Sequence, residues 1–249
     1  VKGAYDSVIY ALNKAVHIRV VPMGSNFDYR QSLRNSPSSI ETQKKYSHLT
    51  RGCTMVTSIS RFEKSKGIDY ELKVFEQILS KWPSLRSRVQ FVRFSYMSEQ
   101  KKDTAYYTQL RSELDNEVDR INKAYGTAEW TPIIARFDEK LTDEEVTGVL
   151  RAADILFIGS YADGFNHLAM EGIFSQDKAS SISLVLGNIG AGDYIEGYYG
   201  FKCDSVESGA NALYRALTAK RLAKHLRSYR MNLSRSFSIK RWIADILFS

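Results

Sequence analysis

The sequence has few cysteines and no long apolar run, and both features exclude some classes of protein. The two cysteines, Cys53 and Cys203, lie far apart and lack partners at metal-ligand spacing. We therefore expect two buried thiols in a reducing compartment, and neither a disulfide nor a metal site. No stretch approaches the roughly 18 apolar residues of a transmembrane helix, and the first residues do not resemble a signal peptide. A cytoplasmic location is expected, and the missing initiator methionine suggests a fragment of a longer protein.

The net charge is smaller than is usual for nucleic-acid-binding proteins. A net charge of +7 over 249 residues is a modest excess, and there is no basic tail and no run of five like charges. This balance fits an anionic small ligand or an acidic partner. We expect neither a nucleic-acid partner nor a membrane span. The content of 43% hydrophobic and 25% charged residues is that of an ordinary globular protein.

Hydrophobic periodicity predicts strands and helices in alternation along the chain. Strands are predicted at 15–21, 53–59, 89–94, 130–135, 155–158 and 182–186. Helices are predicted at 1–15, 70–82, 104–125, 142–153, 165–174, 206–232 and 237–248, with 25–48 as a polar, mobile loop holding at most one short helix. Alternation of this kind predicts one α/β domain over 1–249, built on a doubly wound parallel sheet that is covered on both faces.

The stretch from Ala153 to Gly172 is the most informative part of the chain. The apolar run Ile155 to Ile158 is typical of a strand buried on both faces, and turn residues and a helical pattern follow it. In a parallel α/β sheet, ligands bind at the carboxyl end of a strand, where a helix N-terminus offers free N–H groups to phosphate. We therefore expect an anion site at this loop.

Two carboxylates flank the predicted helix start. Asp163 lies in the loop, and Glu171 follows eight positions later. This arrangement suits a nucleotide-sugar, with the pyrophosphate at the helix start, a sugar hydroxyl on Asp163 and the ribose hydroxyls on Glu171. The alternative interpretation makes Asp163 a helix-capping residue and Glu171 a solvated helix acid.

A second group of charges follows another predicted strand. Arg61 and Lys66 stand five residues apart in a loop before a helix. Two cations at the carboxyl edge of a sheet suit a pyrophosphate, because Arg grips phosphate oxygens through two N–H groups and Lys adds a mobile charge. The alternative is a solvated charged loop, since Glu63 and Lys64 lie between the two cations.

Together the two groups resemble the trehalose-6-phosphate synthase family, which comprises retaining glycosyltransferases of the GT-B fold. The family pattern is roughly V-D-R-L-D-Y-x-K-G-I followed by R-D-G-M-N-L-V-x-x-E. The matching segments here are Pro22-Met23-Gly24, Ser60-Arg61 to Lys66-Gly67-Ile68, Phe75-Glu76, Arg120-Ile121-Asn122 to Thr127, Asp163-Gly164-Phe165-Asn166, Glu171 and Trp242. The resemblance runs from about residue 15 to the end and implies the Rossmann-like, donor-binding C-terminal lobe of a GT-B enzyme.

The resemblance implies a role for each matching residue. Arg61 and Lys66 would neutralise the donor diphosphate, and Asp163 would bind hydroxyls of the transferred glucose; these three are the expected catalytic residues. The other expected donor-binding residues are Gly164, Phe165, Asn166, His167, Leu168 and Glu171. The implied reaction is retaining glucosyl transfer from a nucleotide-glucose, UDP-glucose being the expected donor, to a sugar phosphate such as glucose 6-phosphate. Neither a metal nor another cofactor is expected.

Several positions depart from the family pattern. Ser60 replaces its Asp, Glu63-Lys64 its D-Y, Phe165 its Met and His167 its Leu. The glycine-rich turn 187–192 stands where the family has S-E-x-x-G. These changes leave two alternatives open, namely a non-catalytic regulatory part of a synthase complex and a related transferase with a different donor or acceptor.

The chain is too short for both lobes of a GT-B enzyme. We expect an N-terminal acceptor lobe, in cis or in trans, to complete the protein, and the chain to be inactive without it. The segments 1–15 and 237–249 are the parts expected to contact that lobe.

Overall fold

A six-stranded parallel sheet forms the centre of the molecule. The computed structural model describes residues 6–11, 14–19, 21, 23–97, 104–176, 182–187, 190, 195, 198–202, 204–219 and 237–247. The strands are β1 (Asp6–Ala11), β2 (Lys14–Arg19), β3 (Thr54–Arg61), β4 (Val89–Tyr96), β5 (Ile133–Phe137), β6 (Ile155–Ile158), β7 (Ser183–Gly187) and β8 (Tyr199–Phe201). The first two form a separate antiparallel hairpin.

Helices cover both faces of the sheet. They are α1 (Phe27–Leu33), α2 (Pro37–Leu49), α3 (Ile68–Lys81), α4 (Ala105–Tyr125), α5 (Asp143–Ala152), α6 (His167–Ser175), α7 (Val206–Thr218) and α8 (Ile239–Leu247), with short 3₁₀ turns at Lys64–Lys66 and Pro83–Leu85. Helices α3, α4 and α7 pack together on one face, and α1, α2, α5 and α6 pack on the other.

The order of the strands places a crevice at the middle of the sheet. The order is β5-β4-β3-β6-β7-β8, so the chain builds outward from β3 in one direction and then crosses to continue outward from β6 in the other. At such a reversal the loops after the two central strands diverge, and ligands bind between them in open α/β sheets. The switch point here lies between the carboxyl ends of β3 and β6.

Each central strand is buried on both faces, which explains its continuous apolar run. Successive residues belong to opposite cores: Phe91 and Phe157 pack under α3 and α7, whereas Val92 and Leu156 pack under α5 and α6. All four side chains are fully buried. The predicted doubly wound α/β fold is confirmed, and the strands predicted at 53–59, 89–94, 130–135, 155–158 and 182–186 correspond to β3 to β7.

Two predictions near the N-terminus are wrong. The segment predicted as a helix over 1–15 forms β1 where the structure describes it, because β-branched and aromatic residues pair with β2 in a register that sets Ala11 opposite Lys14. The polar segment 25–48 forms two helices. Asn26 and Ser36 cap them by accepting hydrogen bonds from Tyr29 and Ser39, and Pro37 occupies the first helical position of α2.

Predictions for the C-terminal part are mixed. The helix predicted over 206–232 is α7 as far as Thr218, and its continuation over 220–236 lies outside the described residues. The helix predicted at 237–248 is α8. Strand β8 is an element that the sequence pattern does not predict. Cys53 is a free, half-buried thiol, and Cys203 lies outside the described residues.

The last helix returns to the start of the domain. Ser25 forms a parallel bridge with Ser238, and the Ser25 N–H donates to the carbonyl of Phe237 at 2.8 Å. A Cβ on Gly24 would lie 2.6 Å from the carbonyl oxygen of Ser238, so the two segments approach as closely as they do because position 24 is glycine. None of the described side chains of α8 is buried.

Candidate functional site

Two loops meet at the switch point of the sheet. The first begins after Arg61, the last residue of β3, and contains the 3₁₀ turn Lys64–Lys66 and Gly67; the second follows β6 and leads to α6. The Tyr161 N–H donates to the carbonyl of Ser65 at 2.9 Å. Gly67 has a φ of +65°, and a Cβ there would overlap the carbonyl oxygen of Gly159. Glycine at this position thus lets the two loops touch.

A cavity of about 900 Å³ opens between these loops. Its lining also includes parts of α1 and α5 and the segments that precede them. The lining residues are Val21, Met23, Arg30, Ile59, Ser60, Arg61, Lys66, Tyr96, Lys140, Leu141, Asp143, Val146, Asp163, Gly164, Phe165, Asn166, His167, Leu168 and Glu171. Every residue predicted for the site therefore borders one cavity, and their roles toward a ligand stay predictions.

Lys66 and Asp163 form an ion pair in the wall of the cavity. Lys66 Nζ lies 2.9 Å from Asp163 Oδ2, and each side chain is only 15% exposed. The same carboxylate oxygen accepts a hydrogen bond of 3.0 Å from Asn166 Nδ2. The alternative interpretation of Asp163 as a helix cap is wrong, because Asn166 occupies the N-cap position of α6.

The N-terminus of α6 faces the cavity. Asn166, with a φ of 63°, turns the chain into the helix, and His167 and Leu168 are its first residues. The first N–H groups of a helix have no intrahelical acceptor and carry the positive end of the helix dipole. This end can receive an anion through the backbone alone.

His167 is anchored by the segment that precedes α1. Its Nδ1 lies 2.9 Å from Ser25 Oγ, and its Nε2 is buried without a hydrogen-bond partner in the described part of the chain. Burial lowers the pKa of His167, the nearby Asp163 opposes that shift and Arg30 adds to it. Phe165 packs against Phe237, with ring centroids 5.4 Å apart.

Glu171 lies deep in the cavity wall and is paired with Arg30. Arg30 Nη2 lies 2.6 Å from Glu171 Oε1, and the two side chains are 18% and 17% exposed. Burial raises the pKa of Glu171; the charge of Arg30 opposes this shift, and Asp143 reinforces it. The alternative interpretation of Glu171 as a solvated helix acid is wrong.

Arg61 lies at the rim of the cavity and remains largely in solvent. Its side chain is 58% exposed, and Nη1 lies 3.3 Å from Glu63 Oε1. The expectation of a solvated loop thus fits Arg61 better than Lys66. An exposed guanidinium can swing toward a ligand at little cost, because a surface ion pair is worth at most about 1 kcal/mol.

A fully buried ion pair lies beneath the two loops. Arg93 Nε is 2.7 Å from Glu71 Oε2, and both side chains are essentially inaccessible to solvent. Glu71 Oε1 accepts hydrogen bonds from the Gly159 N–H and the Ser58 hydroxyl, while Arg93 Nη2 donates to Ser60 Oγ. Burial raises the pKa of Glu71, and the charge of Arg93 opposes that shift. This network links α3, β3 and β4 to the start of the second loop.

Sequence reasoning misses several groups around the cavity. Arg30 and Ser25 fall in the segment predicted as a loop, and the sequence marks Asp143 only as part of a helix start. The capping pattern of Asn26 is a local signal for α1. No local signal indicates that Arg30 reaches Glu171, which is 141 residues away.

Among the described residues, no three or more His, Cys, Asp or Glu side chains cluster in a way that could hold a metal ion. The described helices are each too short or too polar to cross a bilayer.

The sheet order, with its cavity at the switch point, defines a Rossmann-like α/β protein. The chain belongs to glycosyltransferase family 20, whose family model matches residues 3–247. It is similar to the trehalose-6-phosphate synthase of Escherichia coli K12, with 30% identity over 177 residues, covering 68% of this chain and 36% of that protein. It is also similar to the bifunctional trehalose-6-phosphate synthase/phosphatase of Thermoproteus tenax, with 24% identity over 239 residues, covering 95% and 32%.

Solved structures show the same fold. An α,α-trehalose-phosphate synthase from Burkholderia xenovorans in complex with glucose-6-phosphate has a TM-score of 0.82 at 23% identity, covering 97% of this chain and 53% of that one. An E. coli structure bound with UDP-2-fluoro glucose has a TM-score of 0.84 at 22% identity, covering 98% and 55%. The described domain therefore has the fold of the Rossmann-like lobe of a GT-B protein. The chain spans about a third to a half of the length of the relatives it matches.

Proposed function

We propose that this chain supplies the donor site for retaining glucosyl transfer from a nucleotide-glucose, UDP-glucose being the expected donor, to a sugar phosphate such as glucose 6-phosphate. The observation that carries the proposal is the convergence of Arg61, Lys66, Asp163 and Glu171 on one cavity, beside the N-terminus of α6. Two cations and two acids from separate loops fit a ligand that has a diphosphate between two polyhydroxylated rings.

In the proposed complex the diphosphate lies between the α6 N-terminus and the two cations. Lys66 is already turned inward, and Arg61 closes from the rim. Asp163 accepts hydrogen bonds from glucose hydroxyls, and Glu171 accepts them from ribose. Each acid lies beside a cation, with Asp163 2.9 Å from Lys66 and Glu171 2.6 Å from Arg30.

The proposed chemistry needs no nucleophile from the protein. The bond between glucose C1 and the diphosphate oxygen breaks, and the acceptor hydroxyl forms a new C1–O bond on the same face. The acceptor proton passes to the departing diphosphate, whose charge Arg61 and Lys66 stabilise. Catalysis of this kind rests on positioning and on charge complementarity with the transition state.

Ligand-induced thermal stabilisation tests the binding step in this chain. UDP or UDP-glucose at about 100 times its dissociation constant is expected to add about 2.7 kcal/mol to the free energy of unfolding. Arg61→Ala combined with Glu171→Ala should abolish the shift, whereas Lys73→Ala, which removes an exposed lysine of α3 outside the cavity lining, should retain it. If neither nucleotide raises the melting temperature of the unmodified chain, the binding proposal is wrong.

The acceptor half of the reaction would come from a further lobe. The relatives extend well beyond the region that this chain matches. Helix α8 leaves Ile243, Ile246 and Leu247 between 45% and 67% exposed. An apolar helix face of this kind is suited to a second lobe, as proposed for 237–249. Joined to an acceptor lobe, the chain is expected to transfer glucose; alone, it is expected only to bind the donor.

A regulatory role is the second candidate, and the pairing of Arg61 with Glu63 favours it. Glu63 lies 3.3 Å from the guanidinium that would otherwise face the diphosphate. In this role the chain would keep the fold and assemble with an active synthase, with the Glu63 carboxylate competing with the diphosphate for Arg61. Co-purification with a trehalose-phosphate synthase, without binding of any nucleotide, would favour this candidate. A screen of donors and acceptors on the two-lobe protein would identify a related transferase instead.

A further inference from the structure

Arg30 is in direct contact with Glu171, one of the two largely buried acids of the cavity. It projects from α1 and places Nη2 2.6 Å from Glu171 Oε1 and Nη1 3.3 Å from Asp143 Oδ1. Its side chain is 18% exposed and lines the cavity. Arg30 therefore links α1 and α5 to α6 at the place where the proposed ribose would lie.

Arg30 is the neighbouring group that compensates the negative charge of Glu171. Asp143 adds negative charge from α5, and burial of Glu171 favours its protonated form. His167 lies four positions earlier on α6, and burial lowers its pKa, which disfavours its charged form. Without the guanidinium, the Glu171 carboxylate would be buried beside another acid.

The protonation state of Glu171 decides which groups it can bind. Ribose offers two neighbouring O–H donors, and an ionised carboxylate is an acceptor at both oxygens. A protonated carboxyl gives up one acceptor position to its own O–H. Arg30 Nη1 is buried and lies 3.3 Å from Asp143 Oδ1, so Nη2 is the atom that contacts Glu171.

We propose that Arg30 is a positioning residue for the nucleotide, holding the Glu171 carboxylate where it accepts hydrogen bonds from the two ribose hydroxyls. The inference rests on the proposed function and adds to it a residue from a segment outside both signature loops. It predicts that the contribution of Arg30 depends on the ribose hydroxyls and not on the diphosphate.

Calorimetric titration of this chain with three probes tests the inference. The probes are UDP, 2′,3′-dideoxy-UDP and inorganic pyrophosphate. Arg30→Met keeps the side-chain volume and removes the charge. It should weaken UDP binding roughly tenfold or more, because hydrogen bonds to charged groups are worth at least one decade in affinity. Binding of the dideoxy analogue and of pyrophosphate should be unchanged. Arg30→Lys should recover part of the UDP affinity.

The matched control is Arg34→Met, which removes the same charge just after α1. Arg34 Nη1 donates to the carbonyl of Gln176 and does not line the cavity, so UDP affinity should be unaffected. A double-mutant cycle adds a measurement that is independent of global stability. Glu171→Gln should weaken UDP binding, and adding Arg30→Met to it should cause little further loss, because the arginine acts through the acid.

The dependence on pH separates positioning from a general structural defect. Lowering the pH from about 8 to about 6 should weaken UDP binding more in Arg30→Met than in the unmodified chain, because loss of the nearby cation raises the pKa of Glu171. If Arg30→Met binds UDP as tightly as the unmodified chain, or loses UDP and pyrophosphate equally, the inference is overturned. If the unmodified chain binds no UDP, the proposed function fails, and the inference fails with it.

Discussion

Lys66 Nζ lies 2.9 Å from Asp163 Oδ2, so a single ion pair joins two loops that are 97 residues apart in sequence. Each partner is largely shielded from solvent. A diphosphate that approaches Lys66 must therefore share this cation with Asp163. The pair holds both side chains in the wall of the cavity.

Replacing Lys66 by methionine should destabilise the fold and impair nucleotide binding together. Asp163 would be left mostly buried without its cation, and we expect a loss of about 1.5–3 kcal/mol in the free energy of unfolding, measured by urea denaturation. Lys73→Met is the control, because Lys73 is 54% exposed in its pair with Asp69. It should change stability by no more than about 0.5 kcal/mol. Equal losses in the two variants would contradict the structural role given to Lys66.

The buried Glu71–Arg93 pair should show strong coupling in a double-mutant cycle. Arg93→Met leaves a buried carboxylate without its cation and should cost about 3–5 kcal/mol of unfolding free energy. Adding Glu71→Gln removes the negative charge but retains an acceptor for the Gly159 N–H. The double variant should therefore be more stable than Arg93→Met alone. Additive losses in the two single variants would show that the side chains act independently.

Gly67→Ala should be far more damaging than Gly52→Ala. Both glycines have a positive φ, +65° and +84°, and both alanines meet the roughly 1 kcal/mol penalty of a left-handed backbone. Only at Gly67 would the new Cβ overlap the carbonyl oxygen of Gly159, whereas nothing lies within 4 Å of the one at Gly52. We expect a melting temperature clearly lower for Gly67→Ala, together with loss of nucleotide binding. Matching melting curves would mean that the loops can separate without cost.

His167 should make the fold less stable in mild acid. Burial lowers its folded pKa below the ordinary value of about 6.5, so in this range the unfolded chain binds more protons than the folded one. The free energy of unfolding should therefore fall as the pH drops below about 6.5. Urea denaturation of His167→Gln over the same pH range should show a shallower slope than the unmodified chain. His48→Gln, a replacement at an exposed position, is the matched control.

The parts of the site that the sequence locates are those encoded locally. Asp163 and Glu171 belong to one strand–loop–helix unit, and Arg61 and Lys66 belong to another. The carboxyl ends of parallel strands share one edge of the sheet, so the order of the elements alone assigns both units to that edge. Lys66 and Asp163 meet because β3 and β6 are neighbours in the sheet.

Other contacts depend on packing that no local pattern records. Arg30 reaches Glu171 only because α1 docks against α6. Arg93 lies in the middle of a strand whose apolar neighbours give no reason to expect a buried charge, and its partner Glu71 has the sequence context of a surface residue on an amphipathic helix. Strand β1 differs from its predicted helix for a related reason, because cross-strand pairing with β2 outweighs an apparent helical spacing.

The contacts of Phe237 and Ser238 matter for any truncated version of this protein. Phe237 packs against Phe165 in the second loop, and Ser238 is bridged to Ser25, whose hydroxyl contacts His167. The segment that leads into the final helix therefore packs behind the loop that would hold the sugar. A truncated protein that ends before residue 237 would lose these contacts to the second loop and to Ser25, although the truncation lies far from both in sequence.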